Sequence, residues 1–210
     1  MPDTLTCGSW LVYATRAKAP NAIRIRDIVL DIKRDQLQAG SRRLYVEIVV
    51  ERMASQLGSL GPLFGDDVLL IPVPGAGLTK PKTVWPALSI CNALLHTGLG
   101  AAVAPVLQRA LAVRKSAGSQ NRPSLHEHQE SLAVQGTVAR HKRILLVDDV
   151  VTSGTTLMAS ARRVRAAFPK ATVEAFALAR VQSEGEPPHL FESLLERILI
   201  TGAKCRRVPI

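Results

Sequence analysis

Short aliphatic runs alternate with amphipathic stripes along the chain, and that alternation predicts most of its elements. Trp10–Thr15 reads as a short strand. Ile25, Ile28 and Ile32 share one helical face, and that helix is expected to end near Gly40. Val46, Val49, Val50, Met53 and Leu57 repeat at helical spacing until Gly58, Gly61, Pro62 and Gly65 break the run. Val68–Val73 is apolar throughout, as in a buried strand. Val84, Leu88, Cys91 and Leu95 mark the next helix, closed by Gly98 and Gly100, and Val103–Leu107 reads as another strand. Residues 109–123 are polar, basic and aperiodic, so a mobile loop is expected there. Ser124 and Glu127 have the spacing of a capping box at the start of a short helix. Gly185, Pro187 and Pro188 form a late break, and Leu190–Ile200 reads as a last helix, or a helix and a strand. Strands and helices alternate through the middle of the chain. That order predicts an α/β fold with a parallel sheet and right-handed crossovers, whose ligands bind at the carboxyl ends of the strands.

The richest stretch is Ile144-Leu-Leu-Val-Asp-Asp-Val-Val-Thr-Ser-Gly-Thr-Thr156. Four aliphatic residues predict a buried parallel strand, stopped by two adjacent carboxylates, Asp148 and Asp149. Thr152, Ser153, Gly154, Thr155 and Thr156 form a small hydroxyl-rich turn, and Leu157, Ala161, Val164 and Phe168 then mark one face of a helix. Strand, turn and helix make a phosphate cradle, because amide N–H groups converge at a helix N-terminus whose dipole favours an anion. Gly154 would let the backbone approach that anion closely. A P-loop would need a Lys after the glycine, and a dinucleotide fingerprint would need three spaced glycines; neither is present. Two carboxylates beside a phosphate nest would repel the phosphate unless they accept hydrogen bonds from vicinal sugar hydroxyls. The implied ligand is a ribose carrying a 5-phosphate. A strand end with an Asp helix cap is the plainer alternative, but it needs one carboxylate only.

This segment resembles the phosphoribosyl pyrophosphate (PRPP) binding motif of type I phosphoribosyltransferases at all of its positions, Val150 and Val151 included. The resemblance implies that Asp148 and Asp149 bind the ribose 2- and 3-hydroxyls and carry the catalytic site, and that Thr152–Thr156 hold the 5-phosphate. Val73, Pro74, Gly75, Ala76, Gly77 and Lys80, with Lys82 near, follow the buried strand at 68–73 and match the place of the family's pyrophosphate loop. Arg109, Arg114 and Lys115, with Gln120 and Arg122, fall where the family carries a flexible loop that closes over PRPP and excludes water. The Pro72-Val73-Pro74 opening is most similar to the competence protein F (ComF) group, although the four-cysteine zinc module common in that group is missing. His126 and His128 are two residues apart, would not share a helix face, and read as ordinary surface histidines.

The resemblance implies a type I phosphoribosyltransferase fold with a small hood drawn from the chain ends. It divides the chain into an N-terminal extension at 1–40, a core at 41–182, and a C-terminal helix and tail at 183–210. The implied reaction is transfer of the 5-phosphoribosyl group to a nucleobase-like acceptor with release of pyrophosphate. Mg²⁺ would assist, held mainly by ligand oxygens with Asp148 and Asp149 in support. The expected small ligands are PRPP or a nucleoside monophosphate, and the expected assembly is a homodimer. PRPP synthesis shares the motif, but 210 residues leave no room for the second homologous half of such enzymes.

Composition adds less. A chain that is 47% hydrophobic but only 4% aromatic builds its core from Ala, Val, Leu and Ile. No apolar run reaches the length of a membrane span and no signal-peptide pattern opens the sequence, so a cytoplasmic protein is expected. Cys7, Cys91 and Cys205 form no C-x-x-C pair, which points away from a zinc site or disulfide framework. The net charge of +10 could serve solubility alone, and two other readings compete with that. It could steer an anionic substrate to a basic cleft. It could equally serve nucleic-acid contact in a non-catalytic PRPP- or nucleotide-binding protein that assists DNA uptake, DNA processing or regulation.

Overall fold

The computed structural model describes residues 3–14, 18–77, 83–113, 123–137, 142–182 and 189–210. Seven strands form the main sheet. They are β1 (Thr4–Ala14), β2 (Val68–Pro72), β3 (Ala102–Val103), β6 (Arg143–Val151), β7 (Thr172–Gln182), β8 (Phe191–Thr201) and β9 (Lys204–Pro209), in the order β3-β2-β6-β7-β1-β8-β9. Every pairing from β3 to β1 is parallel, and β8 and β9 add on antiparallel. A separate antiparallel pair joins β4 (Leu107–Arg109) to β5 (Leu132–Val134). The expected α/β class with a parallel central sheet is therefore the one observed.

The helices cover both faces. One core layer packs Ile25, Val29 and Ile32 of α1 (Pro20–Lys33), Val46, Val50 and Met53 of α2 (Tyr45–Ala54), and Ile90, Cys91 and Leu94 of α3 (Pro86–His96) against Trp10, Leu145 and Phe176. The other packs Leu157, Met158, Ala161 and Val164 of α5 (Thr155–Ala167) against Leu146, Ala175 and Ile198. Leu145 and Leu146 thus face opposite layers, as the strand's side-chain period of two requires. Both faces being covered explains why β6 reads as an unbroken aliphatic run. The short helix α4 (Leu125–Glu130) opens with the expected capping box: Glu127 N donates to Ser124 Oγ at 3.2 Å, and Ser124 N donates to Glu127 Oε2 at 2.7 Å.

Several expectations are corrected. Residues 191–201 form a strand throughout, not a helix. Leu194, Leu195, Ile198 and Leu199 have a helix-like spacing, but tertiary pairing overrides it: Leu195 lies opposite Gly8 and Ile198 opposite Leu5 along β1. Leu195 then packs into the α1–α3 layer and Ile198 into the α5 layer, so apolar residues are needed on both faces. The helix around Ile25–Ile32 ends at Lys33 rather than near Gly40, and α2 ends before Leu57. Val84 lies outside α3 and is exposed. Val103–Leu107 is not one strand: Pro105, which has no amide to donate, separates β3 from β4. β6 continues through Asp148 and Asp149 to Val151, with Asp148 opposite Ala177 and Val150 opposite Ala179. Thr15 and the break at Gly185, Pro187 and Pro188 lie outside the described residues. From the chain ends, β1, β8 and β9 complete the sheet, and α1 carries Lys33 to the carboxyl end of β6.

Candidate functional site

β6 is a central strand, held between β2 and β7, and its carboxyl end carries the two adjacent aspartates. Asp148 Oδ1 accepts a 2.9 Å bond from Asp149 N, and Asp149 Oδ1 a 2.7 Å bond from Val150 N. Lys33 Nζ stands 2.8 Å from Asp149 Oδ2. Burial holds the Asp148 carboxyl well above its ordinary pKa and the neighbouring Asp149 charge adds to this, while Lys33 opposes it. Burial alone would lower the Lys33 pKa, but Asp149, with Asp148 behind it, more than offsets that and raises it. Asp148 is therefore a costly carboxyl to hold ionised, set beside a second carboxylate that the Lys33 ammonium meets.

The turn that follows has the geometry of an anion seat. Gly154 has φ +86° and precedes α5, whose first turn has no side-chain cap. The first helical bond runs from Met158 N to Gly154 O at 2.9 Å, which leaves the amides of Thr155, Thr156 and Leu157 directed out of the helix end. The Ser153 and Thr155 hydroxyls bond each other at 2.9 Å. Pro123, His128, Asp148, Val150–Leu157 and this helix end line one cleft. Sequence reasoning assigned Gly154 to close approach of a ligand. The structure adds a second reason: a Cβ there would lie 2.6–2.9 Å from three Ile198 side-chain carbons of β8. The glycine lets the turn rest on the sheet.

The loop after β2 sits beside this cleft. Val73 N donates to Val147 O at 2.8 Å, tying the loop's start to β6, and Trp85 Nε1 donates to Val73 O at 2.8 Å. Val73 and Pro74 are buried, whereas Gly75 and Gly77 are exposed, with Ala76 between them. Val113 N donates to Ala76 O at 2.9 Å. The structure thus brings Val73–Gly77 and Asp148 to one edge of the sheet. Lys80, Lys82, Arg114, Lys115, Gln120 and Arg122 lie outside the described residues.

Arg109 is not on a mobile loop. It ends β4, is 4% exposed, and donates to Gly75 O at 2.9 Å, His128 O at 3.2 Å, His128 Nδ1 at 3.1 Å and Ser131 Oγ. Burial pushes its pKa down to about 10, against the pull of Asp148. His128 is likewise no surface residue: it is 3% exposed, and burial followed by the Arg109 charge pushes it down to about 4. His126 is exposed, as expected.

Two further cations, which in sequence read only as members of basic clusters, reach the site. Lys33 ends an amphipathic helix, and only the fold puts that end over Asp149. Arg207, in the basic tail, donates through Nε to Thr152 O at 2.6 Å, through Nη1 to Glu196 Oε2 at 2.7 Å and through Nη2 to Val181 O at 2.7 Å. It clamps the turn to β7 and β8 from β9.

As for Mg²⁺, no cluster of three or more His, Cys, Asp or Glu side chains that could hold a metal occurs among the described residues. Two all-oxygen carboxylates do fit a hard cation that takes one or two protein ligands and completes its shell with substrate oxygens and water. No helix among the described residues is long and apolar enough to cross a membrane.

Comparison with curated proteins finds no matching relative. Residues 45–201 match the family described as phosphoribosyl transferase domain, a span that takes in α2, the loop after β2, Arg109, His128, both aspartates, the α5 turn and β8. The chain belongs to the phosphoribosyl transferase domain family.

Proposed function

We propose that this protein binds PRPP at the carboxyl end of β6 and transfers its 5-phosphoribosyl group to a nucleobase-like acceptor, releasing pyrophosphate. The observation that carries the reading is one cleft lined by Asp148 and the uncapped, hydroxyl-rich start of α5, with Asp149 next to Asp148 on β6. A sugar phosphate needs both halves: acceptors for vicinal hydroxyls and an electropositive seat for the phosphate. Family membership supports phosphoribosyl transfer as the reaction type. The Pro72-Val73-Pro74 opening supports affinity with the ComF-like group within it.

In this reading Thr152, Ser153, Thr155 and Thr156 hold the 5-phosphate, and Asp148 and Asp149 fix the ribose through its hydroxyls. Gly75 and Gly77 present an open backbone to the pyrophosphate. The acceptor nitrogen forms a bond to C1 of the ribose as the C1–O bond to pyrophosphate breaks, the bonding pair leaves with the pyrophosphate, and the acceptor's N–H proton passes to the pyrophosphate or to water. The residues named hold the reacting centres in place and compensate charge, and no protein nucleophile is needed. Mg²⁺, with Asp148 and Asp149 supporting it, would supply charge neutralisation of the leaving group. The direct test is pyrophosphate release from PRPP with Mg²⁺ and a panel of purine and pyrimidine bases. Release that depends on one base or base class, and that disappears in Asp148→Asn/Asp149→Asn, is the expected result. No release with any base, despite PRPP binding, would reject the transferase.

The net charge of +10 favours a second reading, a non-catalytic PRPP- or nucleotide-binding protein that contacts DNA. DNA binding at physiological salt, with a steep salt dependence that PRPP leaves untouched, would favour it. Weak DNA binding displaced by PRPP would favour the enzyme.

A further inference from the structure

His128 lies in a network that dictates its chemistry. A guanidinium has donors only, so where the Arg109 Nη2 group stands 3.1 Å from His128 Nδ1, that nitrogen must accept. The ring is then neutral, with its proton on Nε2. Arg109 directs three more donors to Gly75 O, His128 O and Ser131 Oγ, which locks the residue and ties it to the loop after β2. Ser131 Oγ also donates to His128 O at 2.7 Å, fixing the turn of backbone that carries the ring. Burial and the adjacent guanidinium keep the ring from taking a second proton near neutral pH.

The Nε2–H has no hydrogen-bond partner among the described residues, and it is not among their sealed-off polar atoms without a partner. His128 lines the same cleft as Thr152–Leu157. A fixed, neutral donor without a partner among the described residues therefore belongs to the wall of the cleft beside the α5 N-terminus.

Building on the reading of this cleft as a 5-phosphate site, we infer that His128 is a ligand-binding residue whose Nε2–H donates to an oxygen of the 5-phosphate. The Arg109–His128 pair then couples the two anion subsites. The guanidinium holds Gly75 of the pyrophosphate side with one nitrogen and sets the tautomer that meets the 5-phosphate with another. Arg109 is a positioning residue in this scheme, and His128 touches the ligand.

Two substitutions separate the two ring nitrogens. His128→Asn places a carbonyl oxygen where Nδ1 accepts from Arg109 but has no group at the Nε2 position. His128→Gln extends an amide N–H towards the Nε2 position and gives up the Nδ1 acceptor. Calorimetry with ribose 5-phosphate should show affinity falling about tenfold in His128→Asn and recovering to within about threefold of wild type in His128→Gln. Equal affinity in wild type and His128→Asn, or equal losses in both variants, overturns the inference. A measurement on the unaltered chain serves if either variant fails to fold. Histidine ¹⁵N shifts should report the Nε2–H tautomer for one ring, with its Nε2 resonance moving on saturation with ribose 5-phosphate. An Nδ1–H tautomer, or an Nε2 signal indifferent to bound ligand, also overturns it. No ribose 5-phosphate binding by wild type is a different result, which removes the site reading and this inference with it.

Discussion

Lys33 of α1 reaches across the carboxyl end of β6 to place its ammonium 2.8 Å from Asp149, so an element outside the family-matched span closes over the acidic pair within it. The pair is partly exposed, with side chains 37% and 20% accessible, so its direct contribution to stability is small. Its effect on the site is larger, because one cation compensates two carboxylates that Asp148's burial already strains.

Replacing Lys33 with Met should therefore change the pH dependence of binding more than stability. Without the countercharge Asp148 holds its proton to higher pH, and a protonated carboxyl accepts sugar hydroxyls poorly. PRPP affinity in Lys33→Met should fall between pH 8 and pH 6 by more than it does in wild type, measured by calorimetry on both proteins. Parallel pH profiles would reduce Lys33 to a surface ion-pair partner.

Asp148→Asn should trade binding for stability. The native Asp148 pKa is raised, so the folded chain holds this proton more tightly than the unfolded chain does. Its favourable contribution is present at low pH and lost as pH climbs from the unfolded value through the folded one. The Asn variant escapes that loss, and its melting temperature should exceed that of wild type at pH 8, with the gap closing by pH 4. The double variant Asp148→Asn/Asp149→Asn should lose about 2–5 kcal/mol of PRPP affinity while remaining folded. Unchanged affinity in the folded double variant would remove the aspartates from the site.

Gly154→Ala meets two obstacles at once. It forces a β-carbon into a φ +86° backbone and against the Ile198 side chain. A loss of about 2–4 kcal/mol in denaturant unfolding is expected, combining left-handed strain with overpacking. Adding Ile198→Ala should return part of it, because all three crowded side-chain carbons are removed and the backbone strain is not. Strict additivity of the two substitutions would show that Ile198 does not hold the turn.

Arg207→Met should act on the ligand from a distance. It frees the Thr152 carbonyl and strands the Glu196 carboxylate, which is 8% exposed. Stability should drop by about 3–5 kcal/mol, as when one partner of a buried pair is removed. Arg207→Met/Glu196→Gln should recover most of that stability, because no buried charge is left unpaired. Ribose 5-phosphate should still bind more weakly to the double variant, because the turn has lost its clamp. Full recovery of both quantities would confine Arg207 to the Glu196 pair.

Local pattern carried the sequence reading where chemistry is contiguous. Ile144–Thr156 is strand, carboxylate pair, turn and helix start in unbroken order, so its residue types can be read together even though Ile198 and Arg207 help to hold the turn. The capping box at Ser124 and Glu127 and the aliphatic stripes of α2 and α5 were legible for the same reason, whereas α3 buries Ala87, Ile90, Cys91 and Leu94 rather than the stripe through Val84, Leu88 and Leu95. Arg109 and His128 were misread because a basic or imidazole side chain looks polar in one dimension. Their burial comes from Gly75, Ser131 and each other, whose backbones lie up to 56 positions apart in the chain.

The amino-acid order by itself therefore determined the α/β class, the central strand and the acceptor-plus-cradle motif at its end, because these rest on side-chain period, backbone permissiveness and adjacency. Tertiary structure decided that residues 191–201 are a strand, because the free edge of β1 pairs with them and both of their faces are covered. It also decided which cations serve the site. Lys33, Arg109 and Arg207 reach it from α1, β4 and β9, and a long side chain's partner is set by where distant backbones meet, which no local pattern encodes.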